Sequence, residues 1–295
     1  MNKISIGILS YKRTDLLVET IKNIVVSNYE IDLIILNNNK DIDIKEDIDM
    51  ILIDKTNITM QYIWFHKNLG VATGRREILF ACKTDIIIML DDDVVIPSID
   101  IIISNVINEF ESDKTLGGVA FNIIDIKTNK HNRYEMPHKN KNRNMEKKFY
   151  TYLMIGAGHA LQVSKAIEVG NYPDDFGLYG AEEIDLSFRL INSGYKIIYN
   201  PDCKIIHKKS PDGRFSGDTT NYQAFVNRTK IAKRYFKLRY FITCFFVRSI
   251  YFLYKTKNMR VYIQAAKDIF QDKKRSPFTE QFYKYVKSVE GFLYY

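Results

Sequence analysis

The sequence predicts an α/β protein in which helices flank a mixed, mostly parallel β-sheet and a basic helical region follows at the C-terminal end. Strand-length apolar runs alternate with amphipathic helical patterns over the first two thirds of the chain. The balance of charged residues also differs between these two parts of the chain. Lys204–Tyr295 hold 20 Lys and Arg against 6 Asp and Glu, whereas Met1–Cys203 hold 23 against 29. The 295 residues allow one large α/β domain with an appendage, or two modest domains.

The N-terminal elements follow from the spacing of apolar residues. The predicted strands are "ISIGILS", "IDLIILNNN", "MQYIWF" and "TDIIIML", and the predicted helices are "LLVETIKNIVVS" and "VATGRREILFAC". The first helix has Thr14 or Asp15 near its N-cap. The run "TDIIIML" is apolar on both faces, as is typical of a strand inside a parallel sheet.

The middle of the chain continues the alternation after a helix at "SIDIIISNVINEF" and a strand at "GGVAFNII". Lys127–Lys148 hold few apolar and many charged residues, which predicts a mobile insertion. The stretch "FYTYLMIGAGHALQVSKAIEVG" predicts a strand, a glycine-rich turn and a short helix. A helix from about Ala181 to Asn192 ends before Gly194, and "YKIIYN" predicts a further strand.

The C-terminal region is helical and basic from Thr219 onward, and Lys204–Tyr295 carry 21 of the 39 aromatic residues. Its most apolar stretch contains Lys237, Arg239 and Arg248, and each such residue costs roughly 2.5 to 3.5 kcal/mol at the centre of a bilayer. An interfacial helix is therefore expected rather than a spanning one. Helices that pack across the sheet, or that form a homodimer contact, are the alternatives.

Cysteine content and the N-terminus bear on location. Cys82, Cys203 and Cys244 are odd in number and lack metal-ligand spacing, which favours a reducing cytoplasm over an oxidising compartment. The apolar part of "MNKISIGILSYKR" is too short for a signal peptide, so mature protein is expected from the first residue.

Three consecutive carboxylates, Asp91 to Asp93, follow the buried strand "TDIIIML". Ligands of open α/β sheets bind beyond the carboxyl ends of the strands, where these residues fall. A hard divalent cation such as Mg²⁺ or Mn²⁺ would offset their mutual repulsion. Alternation puts Asp91 and Asp93 on the same side, as a D-x-D pair, with Asp92 facing elsewhere. The alternative is a solvated turn that caps the next helix.

Two further segments are candidates for binding or catalysis. In "HKNLGVATGRREIL", Asn68 and Gly70 form a turn and Arg75 lies in the first turns of a helix, where N–H groups and guanidinium groups bind phosphate. An ordinary helix start with a basic face is the alternative. In "GLYGAEEIDLSFRL", one of the carboxylates is a candidate base, or the carboxylates complement the helix dipole. A later histidine, His207, is a candidate metal ligand or a structural residue.

These motifs, in this order, resemble the inverting glycosyltransferases of family 2, which have the GT-A fold. The resemblance covers roughly residues 4–207 and is most specific in "GAGHALQVSKAIEVGNYPDDFGLYGAEEIDLSFRLINSGYKIIYNPDCKIIH". Within the family, the sequence is similar to the branch that includes rhamnosyltransferases and capsule or O-antigen sugar transferases. It implies a catalytic domain at 1–210, with a donor half at about 1–125, an acceptor half at about 149–210 and a helical region at 211–295.

The resemblance also implies roles for individual residues. The implied metal ligands are Asp93 and His207, where His207 could instead reach the diphosphate. The acid pair appears as Glu182-Glu183, which gives Glu183 the position of the general base. The implied nucleotide contacts are Tyr11, Arg13, Asn37, Asn68, Gly70, Arg75, Asp91 and Asp92. The implied acceptor side comprises Gly156, Gly158, His159, Glu182 and Asp185. Asn37 stands where the family commonly has an Asp against the uracil edge, which leaves the nucleobase open.

The implied activity is transfer, with Mn²⁺ or Mg²⁺, of a sugar from a UDP-sugar or, as the second choice, a dTDP-sugar. The acceptor would be a hydroxyl of a glycan or of a polyprenyl-linked glycan in surface polysaccharide synthesis. The protein would be cytoplasmic, with the basic tail on the anionic inner membrane face. A nucleotidyltransferase, a nucleic-acid binder and a non-catalytic basic protein are the alternatives. A nucleic-acid partner is not expected, since it gives no reason for the D-x-D pair.

Overall fold

The computed structural model describes residues 3–140, 142–210 and 216–293. Its N-terminal elements are β1 (Ile4–Ser10), α1 (Thr14–Ile24), β2 (Ile31–Asn37), α2 (Lys45–Leu52), β3 (Ile58–Trp64), α3 (Gly70–Ala81), β4 (Ile86–Asp91), β5 (Val94–Val95), α4 (Ile99–Ser112) and β6 (Leu116–Asp125). They are followed by β7 (Phe149–Thr151), β8 (Gly158–Gln162), α5 (Val163–Glu168), α6 (Glu182–Asn192), β9 (Lys196–His207), α7 (Gly217–Tyr235), α8 (Leu238–Thr256), α9 (Met259–Gln271) and α10 (Glu280–Ser288).

One mixed sheet runs through the protein in the order β3-β2-β1-β4-β8-β6-β9-β5, and β7 pairs with β9. The first four strands are parallel, as their two-sided apolar runs predict. Antiparallel β8 lies between β4 and β6, and β6 pairs in parallel with β9. The carboxyl ends of β1, β2 and β4 therefore meet at one edge of the sheet.

Two hydrophobic clusters cover the two faces of this sheet. Ile87 and Met89 of β4 belong to one cluster, while Ile88 and Leu90 belong to the other. Successive side chains of a strand point to opposite faces, so both faces of β4 are packed. The apolar run that ends in the three aspartates is thus a central buried strand.

The segment predicted to be a mobile insertion, Lys127–Lys148, instead packs onto the protein. Its described residues lack helices, but Glu135, His138 and Met145 are buried. The ring of His138 contacts the carbonyl of Val289 near the C-terminal end at 2.8 Å. Polar composition suggested mobility, whereas long-range hydrogen bonds hold the segment in place. Helix α2 was not predicted, and β9 extends well past the predicted strand "YKIIYN".

The C-terminal helices pack against the sheet-bearing part of the chain. The side chain of Asn227 in α7 donates to the carbonyl groups of Phe176, Tyr179 and Gly180. Phe282 of α10 belongs to the same hydrophobic cluster as Met89 of the sheet. The division of the chain at residue 210 stays a prediction. Among the described helices, none has both the length and the apolar character needed to cross a bilayer.

Candidate active site

A cleft of about 500 Å³ opens at the carboxyl ends of β1 and β4. Ten of the residues selected from the sequence line it: Tyr11, Arg13, Asn68, Arg75, Asp91, Asp93, Gly156, Glu182, Glu183 and His207. The sheet brings these residues together from segments that are far apart in the chain. The volume suits a small-molecule ligand, since such pockets typically measure about 300 to 1,000 Å³.

Asp91, Asp93 and His207 offer ligand atoms that all lie within 4.8 Å of one another. The strand geometry explains why they meet. Asp91 ends β4, His207 ends β9, and His207 pairs with Val94 directly after the aspartates. The Nε2 atom of His207 lies 3.1 Å from Asp93, and its Nδ1 atom contacts Glu135. Burial lowers the pKa of His207, but these two carboxylates outweigh it and raise that pKa to about 10.

Asp92 points away from the cleft and is fully buried. It forms an ion pair with Arg13 and accepts a hydrogen bond from the backbone N–H of Tyr11 at 3.1 Å. The same guanidinium donates to Asp93 at 2.7 Å. Burial raises the pKa of Asp92 to about 7, although Arg13 opposes the shift. Asp92 does not line the cleft and its side chain pairs with Arg13, so its expected nucleotide contact stays a prediction.

Arg75 is buried and already bound by protein groups. One end of its guanidinium contacts Glu182, and the other donates at 2.7 Å both to Asp91 and to the carbonyl of Gly156. Burial opposes its charge, yet Glu182 and Asp91 raise the pKa of Arg75. Arg75 thus ties the end of β4 to the start of α6. Arg75 lies in the cleft, as predicted, but its guanidinium is paired with the carboxylates of Asp91 and Glu182.

Glu182 and Glu183 begin α6 after Ala181, whose φ of 72° turns the chain sharply into the helix. Both side chains line the cleft. Burial first, and the neighbouring charge of Glu182 second, raise the pKa of Glu183, while Arg75 lowers it. Asp185 does not reach the cleft, because it is buried and pairs with Arg189 one turn along the helix. The expected acceptor contact of Asp185 stays a prediction, while its pairing with Arg189 fits the supporting helix residue that the resemblance implies.

Two residues selected for the acceptor side lie inside β8. Gly158 packs against Phe121 and Ile205, so that an added Cβ would approach them within 3.0 Å. His159 is fully buried and its Nε2 atom lies 2.6 Å from the hydroxyl of Tyr172. Burial lowers the pKa of His159 to about 3, so it is neutral. Neither lines the cleft, whereas Gly156 and its neighbour Ala157 do.

Asn37 and Gly70 also shape the site without lining it. The amide nitrogen of Asn37 donates to Tyr62 at 2.9 Å and to the carbonyl of Ile42 at 2.8 Å. Its neighbour Asn38 lines the cleft instead. Gly70 has a φ of 78°, and a Cβ there would lie 2.2 Å from the carbonyl oxygen of Gly177. The amide of Asn37 thus forms its hydrogen bonds within the protein, and Gly70 permits a close contact with the backbone of Gly177.

The cleft also contains residues that sequence reasoning missed. Asn132, Tyr134 and Glu135 belong to the segment predicted to be mobile, Lys209 follows β9, and Arg228 lies in α7. Lys209 forms ion pairs with Asp125 and Glu135. Alternation and spacing describe contacts within one element, so they gave no signal for these long-range neighbours.

The chain is similar in sequence to known proteins. Residues 5–170 match the model of "Glycosyl transferase family 2". An uncharacterized protein of Haemophilus influenzae is 34% identical over 175 residues, which are 58% of this chain and 94% of that protein.

Solved structures are similar over most of the chain. Mannosyltransferase PcManGT from Pyrobaculum calidifontis, in complex with GDP-Man and Mn²⁺, is 15% identical with a TM-score of 0.63, over 97% of this chain and 79% of that one. S. aureus TarS 1-349 in complex with UDP-GlcNAc is 11% identical with a TM-score of 0.65, over 91% and 81%. The protein is a glycosyltransferase with the GT-A fold. The chain belongs to glycosyltransferase family 2.

Proposed function

We propose that this protein is a metal-dependent, inverting glycosyltransferase that moves a sugar from a nucleoside-diphosphate sugar to an acceptor hydroxyl. The observation that carries the proposal is that one cleft contains both the Asp91, Asp93 and His207 group and the carboxylate of Glu183. A nucleotidyltransferase would release pyrophosphate, whereas this reaction releases a nucleoside diphosphate. The nature of the released product therefore separates the two activities.

The proposed metal ligands are Asp91, Asp93 and His207. Two carboxylates and one imidazole within 4.8 Å of one another suit Mn²⁺ or Mg²⁺, which prefer oxygen-rich sites. When bound, such a cation supplies positive charge against the diphosphate leaving group. A hydrogen bond from Arg13 holds the carboxylate of Asp93 in position.

Glu183 is the proposed general base. It takes the proton of the acceptor hydroxyl while that oxygen bonds to the anomeric carbon, and the bond from this carbon to the diphosphate oxygen breaks on the opposite side. The anomeric configuration inverts as a consequence. The raised pKa of Glu183 supports this role, because a base works best when its pKa lies near the operating pH.

The proposed donor is a UDP-sugar, with a dTDP-sugar as the second choice, bound near Tyr11, Arg13, Asn68 and Asp91. The test is a thermal-shift panel of UDP-, dTDP- and GDP-sugars with Mn²⁺, since a ligand that binds the folded state raises its stability. We expect a UDP-sugar to stabilise the protein only with metal. Asp93→Asn should abolish this shift, and Asp49→Asn on exposed α2 is the matched control. An equal shift in excess chelator would contradict the metal site.

The proposed acceptor is a glycan or polyprenyl-linked glycan of a surface polysaccharide, used at an anionic membrane face. An exposed apolar stripe on α8 supports the membrane part. Its residues recur every fourth position: Leu238, Ile242, Phe246, Ile250 and Tyr254. Residues 237–260 contain six Lys and Arg and no Asp or Glu. An apolar stripe bordered by cations is typical of helices that lie in a membrane interface.

Sedimentation with vesicles tests this membrane surface. We expect the protein to sediment with phosphatidylserine-containing vesicles at low salt, and less so at high salt because screening weakens the cationic contribution. Ile250→Asp should reduce the bound fraction severalfold. Ile53→Asp is the control, since Ile53 is also exposed but lies just after α2. Equal sedimentation of both variants, or a dimer in solution that Ile250→Asp dissociates, would contradict the membrane surface.

A further inference from the structure

Glu135 lies in the cleft but has no part in the proposed reaction. It belongs to the loop between β6 and β7, and its side chain is buried beside His207. The carboxylate of Glu135 contacts the Nδ1 atom of His207, while the Nε2 atom of the same ring lies 3.1 Å from Asp93. The imidazole is therefore held between Glu135 on one side and a proposed metal ligand on the other.

Glu135 is placed to support the metal site rather than to supply a ligand. Among the residues that the structure describes, the ligand atoms that lie within 4.8 Å of one another come from Asp91, Asp93 and His207. A carboxylate accepts hydrogen bonds and donates none, so the Nδ1 atom of His207 donates in its contact with Glu135. The ring nitrogen that can offer a lone pair to a cation is then Nε2, on the side of Asp93.

Two further contacts hold Glu135 in this place. Its second carboxylate oxygen pairs with Lys209 at 2.6 Å, and Lys209 also pairs with Asp125 at 2.7 Å. The backbone N–H of Glu135 donates to the carbonyl of Asn132 at 2.9 Å, which closes a turn. Asp125 ends β6 and lies beside His207 in the sheet. The carboxylate that contacts the imidazole is thus tied to the same edge of the sheet as the imidazole itself.

We propose that Glu135 is a positioning residue that orients the imidazole of His207 for the metal cation. The inference rests on the proposed function, since it takes His207 as a metal ligand. Histidine ligands of metals commonly donate their other ring N–H to a carboxylate, which fixes the orientation of the ring and the nitrogen that faces the metal. The loop between β6 and β7 therefore contributes to metal affinity through His207 without supplying a ligand of its own.

A matched pair of variants separates the hydrogen bond from the charge of Glu135. Glu135→Gln and Glu135→Met have side chains of similar length, and both lose the ion pair with Lys209, which keeps Asp125 as a partner. Only the glutamine retains an oxygen that accepts from Nδ1 of His207. Glu135→Ala removes the acceptor without adding an apolar group and repeats the comparison. Glu146→Ala is the control, because Glu146 is exposed in the same loop.

The measurement is a titration with Mn²⁺ at a fixed concentration of UDP, followed by the electron paramagnetic resonance signal of free Mn²⁺. A titration without protein corrects for Mn²⁺ bound by UDP alone, and urea unfolding checks that each variant is folded. We expect Glu135→Met and Glu135→Ala to weaken Mn²⁺ binding about tenfold or more, which is the usual cost of losing such a carboxylate. Glu135→Gln should weaken it by less than about threefold, since the amide oxygen still accepts the hydrogen bond. Glu146→Ala should bind Mn²⁺ like the unmodified protein.

Repeating the titrations in the His207→Ala background tests whether Glu135 acts through the imidazole. Once the ring is absent, Glu135→Met and Glu135→Gln should bind Mn²⁺ equally, because the two changes are coupled only through His207. The inference is overturned if the two variants bind Mn²⁺ equally while His207 is present. It is also overturned if their difference persists without His207, since Glu135 would then act on the cation directly.

Failure of the proposed function has a different signature, which Asp93→Asn reveals in the same titration. If the unmodified protein takes up no Mn²⁺ beyond that bound by UDP, or if Asp93→Asn leaves its uptake unchanged, the proposed metal site is rejected and the inference falls with it. Uptake that depends on Asp93 but is the same in all three Glu135 variants would retain the metal site and reject the positioning role.

Discussion

Replacing Arg75 by Met should destabilise the protein strongly. Arg75 and Glu182 are each only 2% exposed, and the guanidinium also holds Asp91 and the carbonyl of Gly156. Removing one member of a buried ion pair leaves an uncompensated charge, which typically costs about 3 to 5 kcal/mol. The whole free energy of unfolding of a protein is only about 5 to 15 kcal/mol. We therefore expect a loss of about 3 to 5 kcal/mol for Arg75→Met.

A double-mutant cycle isolates the ion pair from the general loss of packing. Glu182→Gln should cost about 1 to 3 kcal/mol, because the guanidinium keeps Asp91 as a partner. The variant with both changes has no unpaired buried charge at this point. Its destabilisation should fall short of the sum of the single variants by about 1 to 3 kcal/mol.

Urea unfolding measures the three free energies, and Arg76→Met in the same helix is the control. Arg76 donates to the carbonyl groups of Gly170 and Tyr172 and has no ion pair within the residues that the structure describes. Its replacement should cost about 1 kcal/mol. A cost below about 1 kcal/mol for Arg75→Met, or additivity within about 0.5 kcal/mol, would refute the buried pair. Arg75 would then be free to bind a phosphate.

Three further outcomes follow from the site and the backbone. Glu183→Gln should lower kcat by about 10²- to 10⁴-fold while donor binding, measured by calorimetry, persists. Since the base must be ionised and its pKa is raised, kcat/KM should fall as pH drops through a value above the ordinary Glu pKa of about 4.3. Glu182→Gln removes a neighbouring negative charge, so this acidic limb should move to lower pH. Gly70→Ala should cost about 2 kcal/mol or more in urea unfolding, whereas Gly217→Ala, where a Cβ meets open space, should not destabilise. An acidic limb of kcat/KM that does not move in Glu182→Gln would contradict the assignment of Glu183. Equal losses of stability in Gly70→Ala and Gly217→Ala would contradict the role of Gly70.

The sequence predicted the N-terminal half of the sheet well because its signals are local. Apolar runs such as "IIIML" become strands buried on both faces, and the parallel order of the first four strands follows from strand–helix alternation. Antiparallel β8 could not be found this way. Its place between β4 and β6 depends on contacts between Met89 and His159 and between Ala120 and His159, which are far apart in the chain.

The candidate site shows the same limit at the level of single residues. The position of Asp91 and Asp93 beyond a strand end was predictable, since strand direction fixes where carboxyl ends lie. Their partners were not. The guanidinium of Arg13 reaches Asp93 from the loop between β1 and α1, and Arg75 reaches Asp91 from α3. A motif names the residue types in a site, whereas long-range packing decides which of them remain available to a ligand.

The two glutamates at the start of α6 illustrate this division most directly. They are adjacent in sequence and both line the cleft, so no local pattern separates them. Arg75 contacts the carboxylate of Glu182. Glu183 has no such contact, and burial together with the charge of Glu182 raises its pKa. One arginine from another helix thus engages Glu182 in an ion pair, while the carboxylate of Glu183 lines the cleft with a raised pKa. Arg75→Met should therefore also disturb the pH dependence of turnover, because it removes the charge that distinguishes the pair.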